Sequence, residues 1–260
     1  MDHYQNNNIL RVIIVTILIL LTVAACSRNK FKANLSMEQR MERAIKMFND
    51  RDYLDAKTEF RIIILNFQGS TLSDKAQFYY AECHFNLKEY ILAISEYEKL
   101  TRVFSNSEYV DDAQYKVALS YYKLSPKYAL DQINTEKAIQ EFQKFLEDYP
   151  YSTLVPEADK YMQKCREKLA KKHFRNGESY RKRTLYRSAL VYYDHVLDNY
   201  YDTSFAEKSL WAKAECLKLL GQHEQAEKFY KLYLEKYPDS SRVSKIKNML
   251  SDLRSNQSRD

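Results

Sequence analysis

Glycine and proline are nearly missing from this chain: three and four residues in 260. Average usage would supply about 30 between them. Sandwiches and barrels need turn residues every 8–12 positions, so an all-β architecture is excluded. No stretch reads GxGxxG or GxxxxGK[ST], which removes the Gly-rich phosphate cradles of nucleotide-binding enzymes. There is no CxxC, and the five histidines (His3, His84, His173, His195, His223) form no HxxxH or HExxH pair able to ligate zinc. With no residues set out for catalysis or metal binding, neither an enzyme nor a cofactor is expected. Of four cysteines, Cys26 lies near the N-terminus; the odd remainder, Cys83, Cys165 and Cys216, argues against a disulfide framework and reads as buried thiols.

Present in abundance are rings and charges: 23 Tyr, 12 Phe and 29% charged residues, the composition of a helical globular protein. Val12 to Ala25 form an almost wholly apolar run behind Arg11. At 14 residues it is short of the roughly 20 that span a bilayer, and its charged start and small-residue end are signal-peptide anatomy. The end, Val23-Ala24-Ala25-Cys26, resembles the bacterial lipobox. That resemblance implies cleavage before Cys26 and lipidation of its sulfur, and two or three acyl chains suffice for stable anchoring. Ser27, where an inner-membrane retention signal usually has Asp, favours the outer membrane.

One pattern recurs five times in the remaining chain. A small residue is followed 12 positions later by Ala in four copies: Ala44 and Ala56, Ala81 and Ala93, Gly177 and Ala189, Ala214 and Ala226. Four residues after the second Ala stands a ring: Phe60, Tyr97, Tyr193, Tyr230. The fifth copy, Ala118 and Ala138 with Phe142, has an eight-residue insertion, Ser125 to Gln132. Only Ala or Gly lets two helix backbones approach closely, and a ring at i+4 packs over the same seam. The pattern resembles the tetratricopeptide repeat. It implies an all-α fold, a right-handed α-solenoid of about five helical hairpins, which Val243, Ile246, Leu250 and Leu253 would close with a capping helix. Fourteen extra residues after Pro156 predict one long helix to about Arg183. The domain reading is a signal peptide over 1–25, a lipidated linker over 26–35, repeats 1–3 over 36–155, repeats 4–5 with the cap over 156–253, and a tail over 254–260.

The inserted hairpin, Leu130-Asp131-Gln132 followed by Thr135, Ala138, Phe142, Phe145 and Tyr149-Pro150-Tyr151-Ser152, is similar to a phrase of the BamD family of outer-membrane β-barrel assembly lipoproteins. The first repeat departs from that family by closing in Phe67-Gln68-Gly69-Ser70 rather than in Tyr-Pro, which puts its repeat geometry in question. The resemblance implies a lipid-anchored accessory on the periplasmic face of the outer membrane. Its implied partners are a BamA-type barrel subunit, bound through periplasmic domains, and unfolded barrel proteins, bound by their C-terminal signal. Nucleic acid is not expected as a partner of an exported lipoprotein. A periplasmic scaffold or pilotin lipoprotein for pilus, secretin or envelope assembly shares the anchor and the repeats.

In tetratricopeptide arrays the first helix of each hairpin lines the concave face, which places Met41, Ile45, Phe48, Phe78, Phe85, Tyr115, Leu119 and Tyr122 there, with Glu82 among them. So apolar a surface is either a groove for an extended peptide or is filled from within, for instance by the long helix. The C-terminal repeats offer a polar mixture at these positions. Between Lys160 and Arg187, 11 basic residues face only Glu167 and Glu178. Such a run is a solvated face, or docks an acidic partner through Lys171, Arg175, Arg181 and Arg183.

Overall fold

The protein is described from a computed structural model, over residues 35–67 and 69–257. The apolar run read as a signal peptide, Cys26 and most of the proposed linker lie outside the described residues. Among the described residues there are eleven helices and no strand. They are α1 (Met37–Asn49), α2 (Tyr53–Asn66), α3 (Ser73–Asn86), α4 (Tyr90–Val103), α5 (Val110–Leu124), α6 (Ile133–Asp148), α7 (Val155–Lys182), α8 (Tyr186–Asn199), α9 (Ser204–Leu219), α10 (His223–Lys236) and α11 (Val243–Gln257). The fold is all-α, as expected. The helices form two compact units that divide between Glu89 and Tyr90. The first holds α1 to α3 and the second α4 to α11; within each unit every helix packs on its chain neighbours in solenoid fashion.

The first helix starts on a capping box. Ser36 Oγ accepts the Gln39 N–H at 3.3 Å while Gln39 Oε1 accepts the Ser36 N–H at 3.1 Å, satisfying two donors that a helix start would otherwise leave bare. Within hairpins the chain reverses through a left-handed residue placed five before the second Ala: Arg51, Lys88, Thr184 and Gly221, with φ of 66°, 63°, 60° and 74°. The following N–H then reaches back to the preceding helix, as from Leu185 to the Tyr180 carbonyl at 3.1 Å. Only glycine takes this conformation without steric cost, and a β-branched side chain suffers most. Thr184→Gly should therefore raise stability by about 1 kcal/mol, read as a higher urea midpoint with an unchanged slope.

The seam residues behave as the 12-residue spacing requires. Ala44, Ala56 and Phe60 in the first hairpin, and Ala118, Ala138 and Phe142 in the third, are fully buried. In the fourth, Gly177 faces the Tyr193 ring so closely that a Cβ would lie 2.7 Å from Cε1. The closing ring also has a partner set by the residue after the small one. Tyr193 OH donates to Glu178 at 2.6 Å, and Tyr230 OH donates to Glu215. Where that residue is apolar, as at Ile45 and Leu119, the ring is the hydroxyl-free Phe60 or Phe142. A buried hydroxyl needs an acceptor, and in these four hairpins the sequence supplies one only where the ring carries the hydroxyl.

Each repeat closes in one turn geometry. Ser107, Ser152, Thr203 and Ser240 donate their N–H to the carbonyl of the ring three residues earlier, at 2.9–3.2 Å. Ser70 does the same to Phe67 at 3.2 Å, so the missing Tyr-Pro leaves the first closure unchanged: the N–H to carbonyl bond makes the turn, and proline only favours it. In two repeats the serine hydroxyl also latches the start of its own hairpin, Ser152 to Asp111 and Ser240 to Glu207, both at 2.8 Å.

The long helix runs from Val155 to Lys182, within a residue of the expected span. The cap buries Ile246 and Leu250 against Leu210, Tyr230 and Tyr233. It continues to Gln257, so the stretch read as a tail from residue 254 is helical for four more residues. Cys83, Cys165 and Cys216 are free and buried, and burial pushes their thiols up to about 12, 11 and 11. They stay protonated and serve as small apolar side chains.

Candidate functional site

The residues expected to line a groove separate into three sets. In the first unit Ile45, Phe48, Phe78 and Phe85 are half-buried on α1 and α3. Phe48 meets Tyr53 and Tyr79 edge-on at ring distances of 5.3 and 5.2 Å, and Phe78 meets Tyr79 at 5.7 Å. These rings leave part of their faces to solvent while fixed by one another. Met41 departs from expectation. It is buried in the cluster with Ala44, Phe60 and Ile63, because α2 closes over that face of α1.

Tyr115 and Leu119 depart likewise. Both are buried, at 3% and 8% exposure, so neither presents a side chain to a ligand. The Tyr115 ring stands 6.1 Å from Phe142 and 5.8 Å from Phe145 of α6. Tyr122 is half-buried against Tyr161 of α7, ring to ring at 4.8 Å. In the third hairpin α6 covers Tyr115 and the long helix packs on Tyr122, so the face is filled from within. Glu82 is buried too. Repeat numbering places a residue on a helix face but not the neighbour that covers it.

The insertion is organised by the residues that carried the family resemblance. Gln132 is buried, and its Nε2 donates to the carbonyls of Lys127, Leu130 and Asp131 at 2.9–3.2 Å. Its Oε1 accepts from Thr135 at 2.7 Å, and Asp131 caps α6 by accepting the Ile133 N–H at 3.0 Å. The Asp-Gln-x-x-Thr phrase is thus a plug that satisfies the inner carbonyls of a loop lacking secondary structure. From α7, Lys168 donates to Ser125 Oγ at 2.6 Å and Lys172 to the Leu130 carbonyl at 2.8 Å, while Lys171 lies 4.6 Å over the Tyr128 ring.

At least five of the eleven cations in the basic stretch have partners within the molecule. Besides those three lysines, Arg166 chelates Asp202 at 2.6 and 2.8 Å, and Arg181 chelates Glu178 at 2.8 and 2.9 Å. The Arg181 guanidinium, more than the opposing burial, holds the Glu178 carboxyl below its usual range. Of the four cations assigned to docking, Lys171 and Arg181 have these internal partners; Arg175 and Arg183 are exposed. The loop that takes up Lys168, Lys171 and Lys172 lies about 40 residues away in sequence, beyond the reach of local charge patterning.

A site the sequence reading missed lies at the C-terminal end of the second unit. Side chains of α7, α9, α11 and the turn before α11 line a cleft of about 410 Å³ around Trp211. Its α7 and α9 members were legible as a polar mixture, but the cations brought by that turn and α11, Arg242 and Lys245, were not. Among the described residues no group of three or more His, Cys, Asp or Glu is set to hold a metal ion. No described helix is long and apolar enough to cross a membrane.

A family model described as YfiO, outer membrane lipoprotein, matches residues 34–232. The chain belongs to the YfiO family. That YfiO match takes in α1 to α9 and most of α10, and ends before α11. Over 123 residues the chain is 27% identical to the outer membrane protein assembly factor BamD of Rickettsia prowazekii (strain Madrid E). That match covers 47% of this chain and 49% of the relative, so the chain spans about half the length of the curated relative it matches. Among solved structures it is similar to the TPR2AB domain of yeast Sti1 in complex with an HSP90 peptide (15% identity, 82% of each chain, TM-score 0.44). It is also similar to a thermophilic tetratricopeptide protein of Thermus thermophilus (15% identity, 84% of this chain and 98% of that one, TM-score 0.36).

Proposed function

We propose that this chain is a lipid-anchored accessory subunit of the machinery that assembles β-barrel proteins into the outer membrane. Membership of the YfiO outer membrane lipoproteins carries the reading, and the likeness to a BamD assembly factor supports it. Cys26 bears the anchor, which holds the repeats at the periplasmic face. The half-buried rings of the first unit, Phe48, Phe78 and Phe85 with Ile45, receive the C-terminal signal of an unfolded barrel, whose alternating apolar residues would pack on preformed aromatic faces. Exposed Arg175 and Arg183 face the periplasmic domains of a BamA-type barrel subunit. The work is binding alone, with no covalent step.

Phe48→Ala with Phe85→Ala should weaken binding of a barrel C-terminal peptide by about five- to thirtyfold, since two partly desolvated rings carry roughly 1–2 kcal/mol together. Fluorescence anisotropy of the labelled peptide measures this, with far-UV circular dichroism confirming that helix content is retained. Unchanged affinity would remove the first unit from substrate binding.

A further inference from the structure

The cleft around Trp211 has an uneven division of charge. Four cations line it, Arg181, Lys208, Arg242 and Lys245, against two carboxylates, Glu178 and Glu215. Both carboxylates are engaged by the wall. Glu178 takes two bonds from Arg181 and one from Tyr193 OH, and Glu215 takes one from Tyr230 OH. Both tyrosines are fully buried in the hairpin seams.

The lysines are differently placed. Neither Lys208 nor Lys245 has a carboxylate within ion-pair distance among the described residues; each lies over a ring instead. The Lys208 ammonium is 4.5 Å from the Phe205 centroid and the Lys245 ammonium 5.0 Å from that of Trp211. The Arg242 guanidinium also lies over Trp211, at 5.8 Å, and reaches Glu207 only at 3.4 Å. An indole thus sits beneath two cations, with a third cation near the rim, and the donors of both ammoniums remain unspent. Cations over a ring gain from its quadrupole while keeping N–H groups for an incoming acceptor.

We infer that this cleft binds a short acidic segment of a protein partner, with carboxylates on Lys208 and Lys245 and an apolar side chain against Trp211. Charge complementarity selects an anion, and the ring selects one with an apolar neighbour. A compact anion such as phosphate would leave the indole uncovered. A bilayer is disfavoured by shape: Lys208 and Lys245 are exposed and could meet a flat surface, but Trp211 is half-buried within the cleft, where such a surface would leave it uncovered. The inference stands on the cleft alone and does not depend on the proposed role in barrel assembly. Arg242 and Lys245 lie beyond the YfiO match, so the turn before α11 and α11 itself complete the site outside the matched residues.

Trp211 is the chain's single tryptophan, so its emission reports on this cleft without labelling. The mature chain would be titrated with an acetylated Asp-Phe-Glu-Phe-Asp peptide, and in parallel with Lys-Phe-Lys-Phe-Lys, inorganic phosphate and phosphatidylglycerol vesicles. The acidic peptide should produce a saturable change in emission. Its apparent affinity should fall about tenfold or more in Lys208→Gln/Lys245→Gln, and fall as salt rises from about 50 to about 500 mM. Lys208→Arg/Lys245→Arg should keep it. Circular dichroism and the thermal midpoint establish that each variant is folded. Were the glutamine pair to unfold, weakened binding at high salt in the parent chain would support the inference, and salt-independent binding would overturn it. Absence of a saturable response to the acidic peptide would overturn it too, as would an equal response to the basic peptide. A response to phosphate or vesicles that matches or exceeds that to the acidic peptide, or full affinity in the folded glutamine pair, would do the same.

Discussion

Gly177→Ala should destabilise the protein by about 2 kcal/mol, although alanine is the better helix former by about 1 kcal/mol. Packing decides the sign. A methyl group at this position would sit 2.7 Å from Tyr193 Cε1 and 3.1 Å from its Cζ. The ring is fully buried and its hydroxyl is tied to Glu178, so it cannot swing aside without breaking that bond. Relief must come from parting α7 and α8, which costs more than the alanine contributes. For a chain of this size the change corresponds to a fall in thermal midpoint of roughly 4–8 °C. Adding Tyr193→Leu, which removes the ring, should make the same glycine replacement far less damaging. A neutral or stabilising Gly177→Ala would show that the seam has slack.

Gln132→Ala should cost about 2–3 kcal/mol, most of it local to the insertion. Three carbonyls would lose their shared donor and Thr135 its acceptor, all in a place where the parent side chain leaves little room for water. Gln132→Glu should do no better, since a carboxylate offers those carbonyls no N–H and adds charge to a buried site. Hydrogen exchange would show loss of protection around the start of α6, and limited proteolysis would show new cleavage between Ser125 and Gln132. If the urea midpoint and exchange pattern stay as in the parent, the lysines of α7 alone hold the loop.

The parts legible in the sequence were those set by short-range geometry. Alanine 12 positions after a small residue fixes a helix, a turn and a second helix in one stroke, and Pro156 announces the long helix within a residue. Three of the four left-handed turns stayed hidden because they carry Arg51, Lys88 and Thr184 where glycine would have signalled them. The groove was half legible. Phe48, Phe78 and Phe85 keep partly open faces, whereas Met41, Tyr115 and Leu119 are covered by helices whose position depends on packing rather than periodicity. The basic run misled for a related reason. Lys168 and Lys172 find their acceptors in a loop 43 and 42 residues away, a distance at which composition says nothing about pairing.

Arrays of helical hairpins ordinarily add their stabilities neighbour by neighbour, so a weak repeat can fray while the next one stands. The 28-residue α7 breaks that independence. It packs on α5, α6, α8 and α9, and its lysines hold the inserted loop as well. A defect in any one of these elements is therefore felt through the same helix by the others. The third, fourth and fifth hairpins share one cooperative block, in which the long helix acts as a common keel rather than one more link in a chain.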